Sequence, residues 1–143
     1  MKDYISKNLI VVDIDSSIEE VSEIMKKYDI GFVPVSKDDK IVGVLTDRDI
    51  VVKVLANKDS KIDGYLSKPI YIDINKDLND ALELMKKHKI KRLLVSDNNK
   101  LVGIISLSDI LNTNIDTIDT IKEIFTINRN SDTYITKVDE FYL

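Results

Sequence analysis

The chain has 143 residues, of which 43% are hydrophobic and 32% charged, and this mixture fits one folded domain of ordinary size and excludes a disordered chain. The absence of cysteine and the single histidine, His88, exclude disulfide scaffolds and thiolate zinc sites and weigh against a Ser-His-Asp triad. A net charge of −4 and the lack of any run of 18 apolar residues predict a cytoplasmic protein with neither nucleic-acid nor membrane partners.

The sequence contains an internal repeat of two copies, offset by 60 residues. Residues 12–51 and 72–111 share 14 identities over 40 aligned positions without a gap. Upstream, residues 4–7 match residues 65–68 after one deletion. Two copies predict a tandem pair of similar units and not a long solenoid, which needs three or more. We place repeat 1 at residues 1–58, repeat 2 at residues 59–112 and a non-repeated tail at residues 113–143.

Each copy predicts a first strand followed by a helix. The strands are expected within residues 10–14 and 70–74, where β-branched and aromatic residues are concentrated. Ser16-Ser17 in copy one and Asp77 in copy two are typical helix N-caps, and apolar residues follow at helical spacing. Met25 and Met85 fall on these apolar faces and are predicted to fill the core.

Each copy continues with a predicted β-hairpin and a second helix. Apolar runs at residues 32–35 and 93–95 are separated from those at 41–45 and 101–105 by the polar tetrads 37–40 and 97–100, which predict hairpin turns. The second helix is expected to begin at Thr46 or Ser106. The order is therefore β-α-β-β-α, twice, an α/β (α+β) arrangement in which the polar residues 56–64 connect the copies.

A hydroxyl and a carboxylate three residues apart begin each second helix: Thr46 with Asp49, and Ser106 with Asp109. One interpretation is structural, because this spacing is a capping box that satisfies free backbone N–H groups. The other is functional, because a helix start attracts phosphate and a carboxylate suits the two hydroxyls of a ribose. Capping does not exclude binding, so both interpretations stay open.

Three further features favour structural roles. His88 lies on the helix face of Met85, and we expect a packed or half-exposed structural histidine and no metal site. Asp38-Asp39 is expected to be a solvated turn and not a cation site. Pro34 lacks an N–H, so we predict that its strand lies at a sheet edge or a cleft wall.

The two copies resemble a tandem pair of CBS domains, called a Bateman module, over about residues 3–112. The resemblance rests on residues 43–49 and 103–109, each a Gly-hydrophobic-hydrophobic-Thr/Ser-x-x-Asp sequence. It implies two β-α-β-β-α units packed through their sheets about a pseudo-twofold axis. It also implies a non-catalytic regulatory module, frequently a homodimer, whose two clefts hold an adenosine ligand such as AMP, ADP, ATP or S-adenosylmethionine.

The resemblance implies the residues of each cleft. The first cleft would be lined by Thr46, Arg48, Asp49, Ile70, Ile90, Lys91 and Arg92, with the last two facing phosphate. The second cleft would be lined by Ser106, Asp109, Ile10, Ile30, Gly31 and Phe32. Because the second cleft lacks the basic pair, we expect the first to be the better nucleotide site. The second would take an uncharged nucleoside end or stay empty, filled by Phe32.

Other functions are weighed against this one. A ligand-free module for protein interaction or oligomerisation is the main alternative, while an enzyme is disfavoured because no nucleophile is paired with a base. In the tail, residues 116–125 carry apolar side chains at helical spacing and predict a short helix. The tail aromatics either dock an effector protein or cover the module's own apolar face.

Overall fold

The computed structural model describes residues 2–6 and 9–112. Within this range the chain divides into two units, one of residues 6–71 and one of residues 2–5 together with 72–112. The predicted tail helix and the tail aromatics lie outside the described residues. Each unit is described separately below.

The first copy contains a three-stranded sheet and two helical segments. Its elements are β1 (Val12–Asp13), α1 (Ile18–Tyr28), β2 (Phe32–Lys37), β3 (Lys40–Thr46) and α2 (Asp47–Asp49), which continues directly into π-helical turns (Ile50–Leu55). The sheet order is β1-β2-β3, with β1 parallel and β3 antiparallel to β2. The predicted order β-α-β-β-α is confirmed, while the π-helical turns were not anticipated.

The second copy repeats this plan. Its elements are β4 (Tyr71–Asp73), α3 (Leu78–His88), β5 (Arg92–Asp97), β6 (Lys100–Ser106) and α4 (Leu107–Leu111), and its sheet order is β4-β5-β6. Short 3-10 turns lie at Lys2–Tyr4 and Asp63–Tyr65. The first strands are shorter than the sequence predicts, two and three residues against the expected five.

The long helix of each copy is delimited by its own side chains. Ser17 and Asp77 are the N-caps, each closed by a reciprocal carboxylate at the third helical position, which satisfies N–H groups that would otherwise lack partners. Both helices end at a residue in the left-handed region, Asp29 with φ of 52° and Lys89 with φ of 55°. The predicted helix starts are confirmed.

Both hairpins turn through two polar residues of positive φ. These angles are 50° and 60° at Asp38 and Asp39, and 47° and 62° at Asn98 and Asn99. Two successive positive φ values define the type I′ turn, whose twist matches that of the flanking strands, and Asp and Asn tolerate this region better than most residues. The predicted hairpin turns are confirmed.

The sheet-edge alternative predicted for Pro34 is wrong, because β2 is the central strand of its sheet, while the cleft-wall alternative stays a prediction. A proline is tolerated in this central strand because of its neighbour in β3, Val44. Val44 lies opposite Pro34, but its backbone N–H and C=O both form hydrogen bonds with Ser67, on the other side of β3. The Pro34–Val44 pair is therefore not hydrogen-bonded, and β1 begins to pair only at Val35. A missing N–H at Pro34 thus leaves no ladder bond unmade.

The core of the first unit lies between its sheet and its helices. Its buried side chains are Val12, Ile18, Val21, Met25, Val33, Val35, Leu45, Ile50, Val54 and Ile62. Met25 and Met85 are 7% and 0% exposed, which confirms their predicted core role. Ile62 is fully buried although it belongs to the segment predicted only as a polar connection. His88 is exposed at the end of α3, so the packed alternative expected for it is wrong.

Candidate functional site

The start of α2 is organised by Thr46 and Asp49. Asp49 Oδ2 accepts hydrogen bonds from the Thr46 backbone N at 3.0 Å and from Thr46 Oγ1 at 2.8 Å. In return, Asp49 N donates to Thr46 Oγ1 at 3.0 Å. The structural interpretation of this motif, a capping box, is therefore confirmed in copy one.

The start of α4 has the same arrangement. Asp109 Oδ2 accepts from Ser106 N at 2.8 Å and from Ser106 Oγ at 2.5 Å, and Asp109 N donates to Ser106 Oγ at 3.2 Å. Ser108 Oγ lies 2.8 Å from Ser106 Oγ. Because the Ser106 hydroxyl already donates to Asp109, Ser108 is the donor in that contact. The capping box is confirmed in copy two as well.

The two carboxylates differ in their second oxygen. Asp49 Oδ1 forms an ion pair with Lys53 Nζ at 2.6 Å, in which the Lys53 side chain is 46% exposed and that of Asp49 only 12%. Asp109 Oδ1 has no partner within the described residues. At equivalent positions of the two copies, both oxygens of Asp49 therefore have a partner, whereas only one oxygen of Asp109 does.

The protonation of Asp49 follows from this environment. Burial raises the pKa of its carboxyl, but hydrogen bonds from Lys53 and Thr46 act in the opposite direction and outweigh it. The pKa of Asp49 is therefore lowered from its ordinary value. The group is a carboxylate at neutral pH, able to accept hydrogen bonds but not to donate them.

The expected free N–H donors are not found at the start of α2. Asp47 N donates to the Gly31 carbonyl at 3.1 Å, Arg48 N to Asp47 Oδ1 at 2.8 Å, and Asp49 N to Thr46. The Asp47 carboxylate also packs against Gly31, where an added Cβ would lie 2.7 Å from Asp47 Oδ2. The backbone N–H groups of this helix start are thus satisfied within the protein, and the Asp47 carboxylate places a negative charge beside Arg48.

The start of α4 borders a small basic hollow inside the second unit. The hollow has a volume of about 120 Å³ and is lined by Lys91, Arg92, Ser106, Leu107, Ser108 and Leu111. Leu107 N donates to the Lys91 carbonyl at 2.8 Å and Arg92 pairs with Ser106 across β5 and β6, which brings the basic pair to the helix start. The two cations suit an anion, although the space is below the roughly 300 Å³ of sites for drug-sized ligands.

Of the other predicted site residues, Gly31 and Phe32 lie beside the start of α2, and Lys91 and Arg92 lie beside the start of α4. Phe32 pairs with Thr46 across β2 and β3, so the segment 30–32 borders the start of α2 in the first unit. Ile10, Ile30, Gly31, Phe32, Ile70 and Ile90 are half-buried, and Arg48, Lys91 and Arg92 are exposed. The grouping of these residues into a first and a second cleft stays a prediction.

Sequence reasoning missed two polar residues of these sites. Lys53 follows Asp49 by four residues, the spacing at which helical side chains of opposite charge meet, and this signal could have identified it. Ser108 was not assigned to either cleft, but it lines the hollow and its hydroxyl contacts Ser106.

Two negative findings apply to the described part of the chain. Residues 2–6 and 9–112 contain no group of three or more His, Cys, Asp or Glu side chains placed to hold a metal ion. No helix in the same range is long and apolar enough to cross a membrane.

Comparisons with known proteins agree with this architecture. The family model of the CBS domain matches residues 1–56 and again residues 62–116. The CBS domain-containing protein YhcV of Bacillus subtilis is 32% identical over 114 residues, which cover 77% of this chain and 81% of YhcV.

Two solved structures are similar in fold and sequence. A conserved protein from Pyrococcus horikoshii superposes with a TM-score of 0.71 and 33% identity, covering 78% of this chain and 88% of that one. The CBS domain pair of protein MJ0100, solved with 5′-methylthioadenosine and S-adenosyl-L-methionine, superposes with a TM-score of 0.71 and 29% identity, covering 78% and 91%. This chain belongs to the CBS-domain family and carries the domain twice, as a tandem pair of the regulatory type.

Proposed function

We propose that this chain is a non-catalytic sensor, acting in the cytoplasm, that binds an adenosine ligand such as AMP, ADP, ATP or S-adenosylmethionine. The observation that carries the proposal is the hydroxyl–aspartate pair at the start of α2 and again at the start of α4. The MJ0100 pair, of similar fold and sequence, was solved with two adenosine derivatives, which supports this ligand class.

The ribose is assigned to the aspartates. Asp109 uses only Oδ2 in its capping box, so Oδ1 is left to accept a ribose hydroxyl without breaking the cap. An ionised carboxylate forms stronger hydrogen bonds with hydroxyl donors than a neutral acceptor does. Capping and sugar binding are therefore compatible at this residue.

The anionic end of the ligand is assigned to the basic hollow of the second unit. Lys91 and Arg92 supply positive charge there. The Ser106 hydroxyl proton is already held by Asp109, so only the Ser108 hydroxyl would donate to the ligand, by giving up its bond to Ser106. The hollow is large enough for a phosphate but not for a whole nucleotide, so base and sugar would extend beyond it. The sequence analysis instead assigned Lys91 and Arg92 to the cleft of Thr46 and predicted that this cleft binds nucleotide more strongly. Binding measurements on variants of each site are needed to decide between the two assignments.

A catalytic role is disfavoured by the side chains present. The Ser106 hydroxyl is hydrogen-bonded to Asp109 and Ser108, and neither partner is a histidine. A serine needs an adjacent base to become a nucleophile, and a capping carboxylate with its own hydrogen bonds does not serve. Regulation then requires that the ligand bind one conformation of the module more tightly than another.

Ligand binding can be tested by thermal unfolding and calorimetry with adenosine, AMP, ATP and S-adenosylmethionine. A ligand present at 100 times its dissociation constant stabilises the protein by about 2.7 kcal/mol, which gives a clear rise of the midpoint. In Asp109→Asn we expect about tenfold or greater weakening, because a charge-assisted hydrogen bond is replaced by a neutral one. Lys87→Ala, on the exposed face of α3, is the control. If none of the four ligands raises the midpoint, the proposal is wrong.

The alternative function, a protein-interaction module, is favoured by one surface. Val51, Val52 and Leu55 are 60%, 48% and 50% exposed on the π-helical turns after α2, although such side chains are usually buried. We propose that this surface contributes to a homodimer. Sedimentation equilibrium of wild type and of Val51→Glu/Leu55→Glu tests it: the variant should shift to monomer, and a monomeric wild type contradicts the dimer.

A further inference from the structure

Both carboxylate oxygens of Asp49 already have a partner. Its Oδ2 accepts from both the backbone N and the hydroxyl of Thr46, and its Oδ1 is held at 2.6 Å by the ammonium of Lys53. Lys53 belongs to the π-helical turns that continue α2, so the cation comes from the same segment as the carboxylate. The ion pair is local and does not depend on any other element.

Asp109 lacks this partner. The residue four positions after Asp109 is Thr113, which carries no charge and lies outside the described residues. Within the described residues, Asp109 makes the same capping box through Oδ2 and leaves Oδ1 open. The copies therefore differ at the one carboxylate oxygen that a sugar hydroxyl would use.

We propose that Lys53 is a specificity-determining residue that competes with the ribose hydroxyls for Asp49 Oδ1, so that Asp49 binds an adenosine ribose more weakly than Asp109 does. This inference rests on the proposed function and adds to it an order of affinity for the two copies. A hydroxyl that donates to Asp49 Oδ1 must displace the ammonium or share the oxygen with it. The ligand therefore has to offset an existing ion pair.

The size of the effect follows from the exposure of the pair. Lys53 is about half exposed, so water and salt screen its attraction to Asp49. Pairs of this kind contribute a few tenths to about 1 kcal/mol, which corresponds to about a two- to fivefold change in a dissociation constant. A neutral ligand such as adenosine isolates this competition, because it has no charge of its own for Lys53 to attract.

The experiment measures adenosine binding by calorimetry in the Asp109→Asn background, where only the Asp49 site retains its carboxylate. Adding Lys53→Met, which keeps the apolar stem, should tighten adenosine binding about two- to fivefold. Lys87→Met, an equal loss of charge on an exposed face of α3, should change nothing. 2′,3′-Dideoxyadenosine, which has no diol, should bind equally well with and without the Lys53→Met substitution, and Asp49→Asn should abolish the gain.

Ionic strength gives a second readout in the same background. Salt screens the ion pair, so adenosine binding should tighten slightly as salt is raised, and Lys53→Met should remove this dependence. Without any ligand, NMR titration of the Asp49 carboxyl should show a higher pKa in Lys53→Met than in wild type. An unchanged pKa would mean that the ion pair is absent in solution and would overturn the inference.

The outcomes separate the inference from the proposed function. If wild type binds adenosine but Lys53→Met binds it equally or more weakly in the Asp109→Asn background, Lys53 is not a competitor and the inference alone is wrong. If neither wild type nor any variant binds adenosine, the proposed function is wrong and the inference falls with it. Binding that appears only after Lys53→Met supports the inference, with a stronger ion pair than expected.

Discussion

Asp49 is the buried polar residue among those the structure describes, at 9% exposure, and its two carboxylate oxygens have three partner atoms. Burial of a carboxylate is unfavourable unless its oxygens have partners. Here the Thr46 backbone, the Thr46 hydroxyl and the Lys53 ammonium supply them. The same atoms that cap the helix therefore keep the residue ionised, which is the state required for binding a sugar hydroxyl.

Removal of this carboxylate should destabilise the protein. We expect Asp49→Ala to lower the free energy of unfolding by about 1–3 kcal/mol, because it removes the capping box and leaves the Thr46 hydroxyl without its acceptor. Urea unfolding measures the change. Glu23→Ala, on the exposed face of α1, should stay within about 0.5 kcal/mol. An equal effect of both substitutions would contradict the structural role of Asp49.

The lowered pKa of Asp49 also predicts how stability depends on pH. Because the folded protein holds the carboxylate more strongly than the unfolded chain, the contribution of Asp49 is complete above its unfolded pKa of about 3.9. It is lost as pH falls through the lower, folded pKa. Wild type should therefore lose its advantage over Asp49→Asn on acidification below about pH 4. Unfolding curves of both proteins across this range provide the check, and a constant difference would refute the prediction.

At the scale of elements, β3 is held on both of its sides. On one side it pairs with β2, and on the other Val44 exchanges two hydrogen bonds of 3.0 Å with Ser67. The neighbouring Gly43 lets this second segment approach, since a Cβ there would lie 2.7 Å from Leu66 Cβ and 3.2 Å from the Ser67 carbonyl oxygen. The glycine is needed for a close backbone approach, since no left-handed φ is present at this residue.

The close approach at Gly43 predicts that adding a methyl group there lowers the stability of the protein, whereas the same change at Gly64 does not. Gly43→Ala should destabilise the protein by about 1–3 kcal/mol, because the new Cβ meets the Leu66 Cβ and a backbone carbonyl that cannot move independently. Gly64→Ala is the matched control, since nothing lies within 4 Å of its Cβ position. Thermal unfolding compares the two. Similar midpoints for both variants would show that β3 and the segment of Ser67 are not in close contact.

At the scale of the whole molecule, duplication has produced two copies with the same order of elements and different charges. The hairpins, the capping boxes and even the bulge in the register, after Val35 and again after Val95, are repeated. The helix starts differ, because copy one has Asp47 against Gly31, whereas copy two has a buried Leu107 and a basic hollow. Repetition therefore conserved the scaffold, while substitution at a few positions made the candidate sites unequal.

This inequality predicts which arginine recognises a phosphate. Arg92→Ala should weaken AMP binding about three- to tenfold while leaving adenosine binding nearly unchanged, because only AMP carries the charge that Arg92 would contact. Arg48→Ala is the matched substitution at the start of α2, where Asp47 opposes an anion. Calorimetry with both ligands measures the effect. A larger loss for Arg48→Ala would instead support the sequence prediction that the Thr46 site is the better nucleotide site.

Much of this architecture follows from the sequence because local rules decide it. Each helix cap is a contact between residues three positions apart, and the capping residues are Ser17, Thr46, Asp77 and Ser106. The hairpin turns form because their Asp and Asn residues tolerate positive φ angles. Ile62 and Lys53 were missed for different reasons. Ile62 is one apolar residue in a polar connection, so no periodicity marks it as part of the core. Lys53 was overlooked although its spacing from Asp49 is local.

The sequence by itself determined the duplication, the β-α-β-β-α order and the two hydroxyl–aspartate pairs, because these depend on contacts between residues near in the chain. Only the tertiary structure decided that Pro34 lies in a central strand, since the partner that makes this possible, Ser67, is more than thirty residues away from it. It also decided where the basic pair meets a helix start, through the register of β5 against β6. Those properties depend on how the strands pair in space, which no linear pattern encodes.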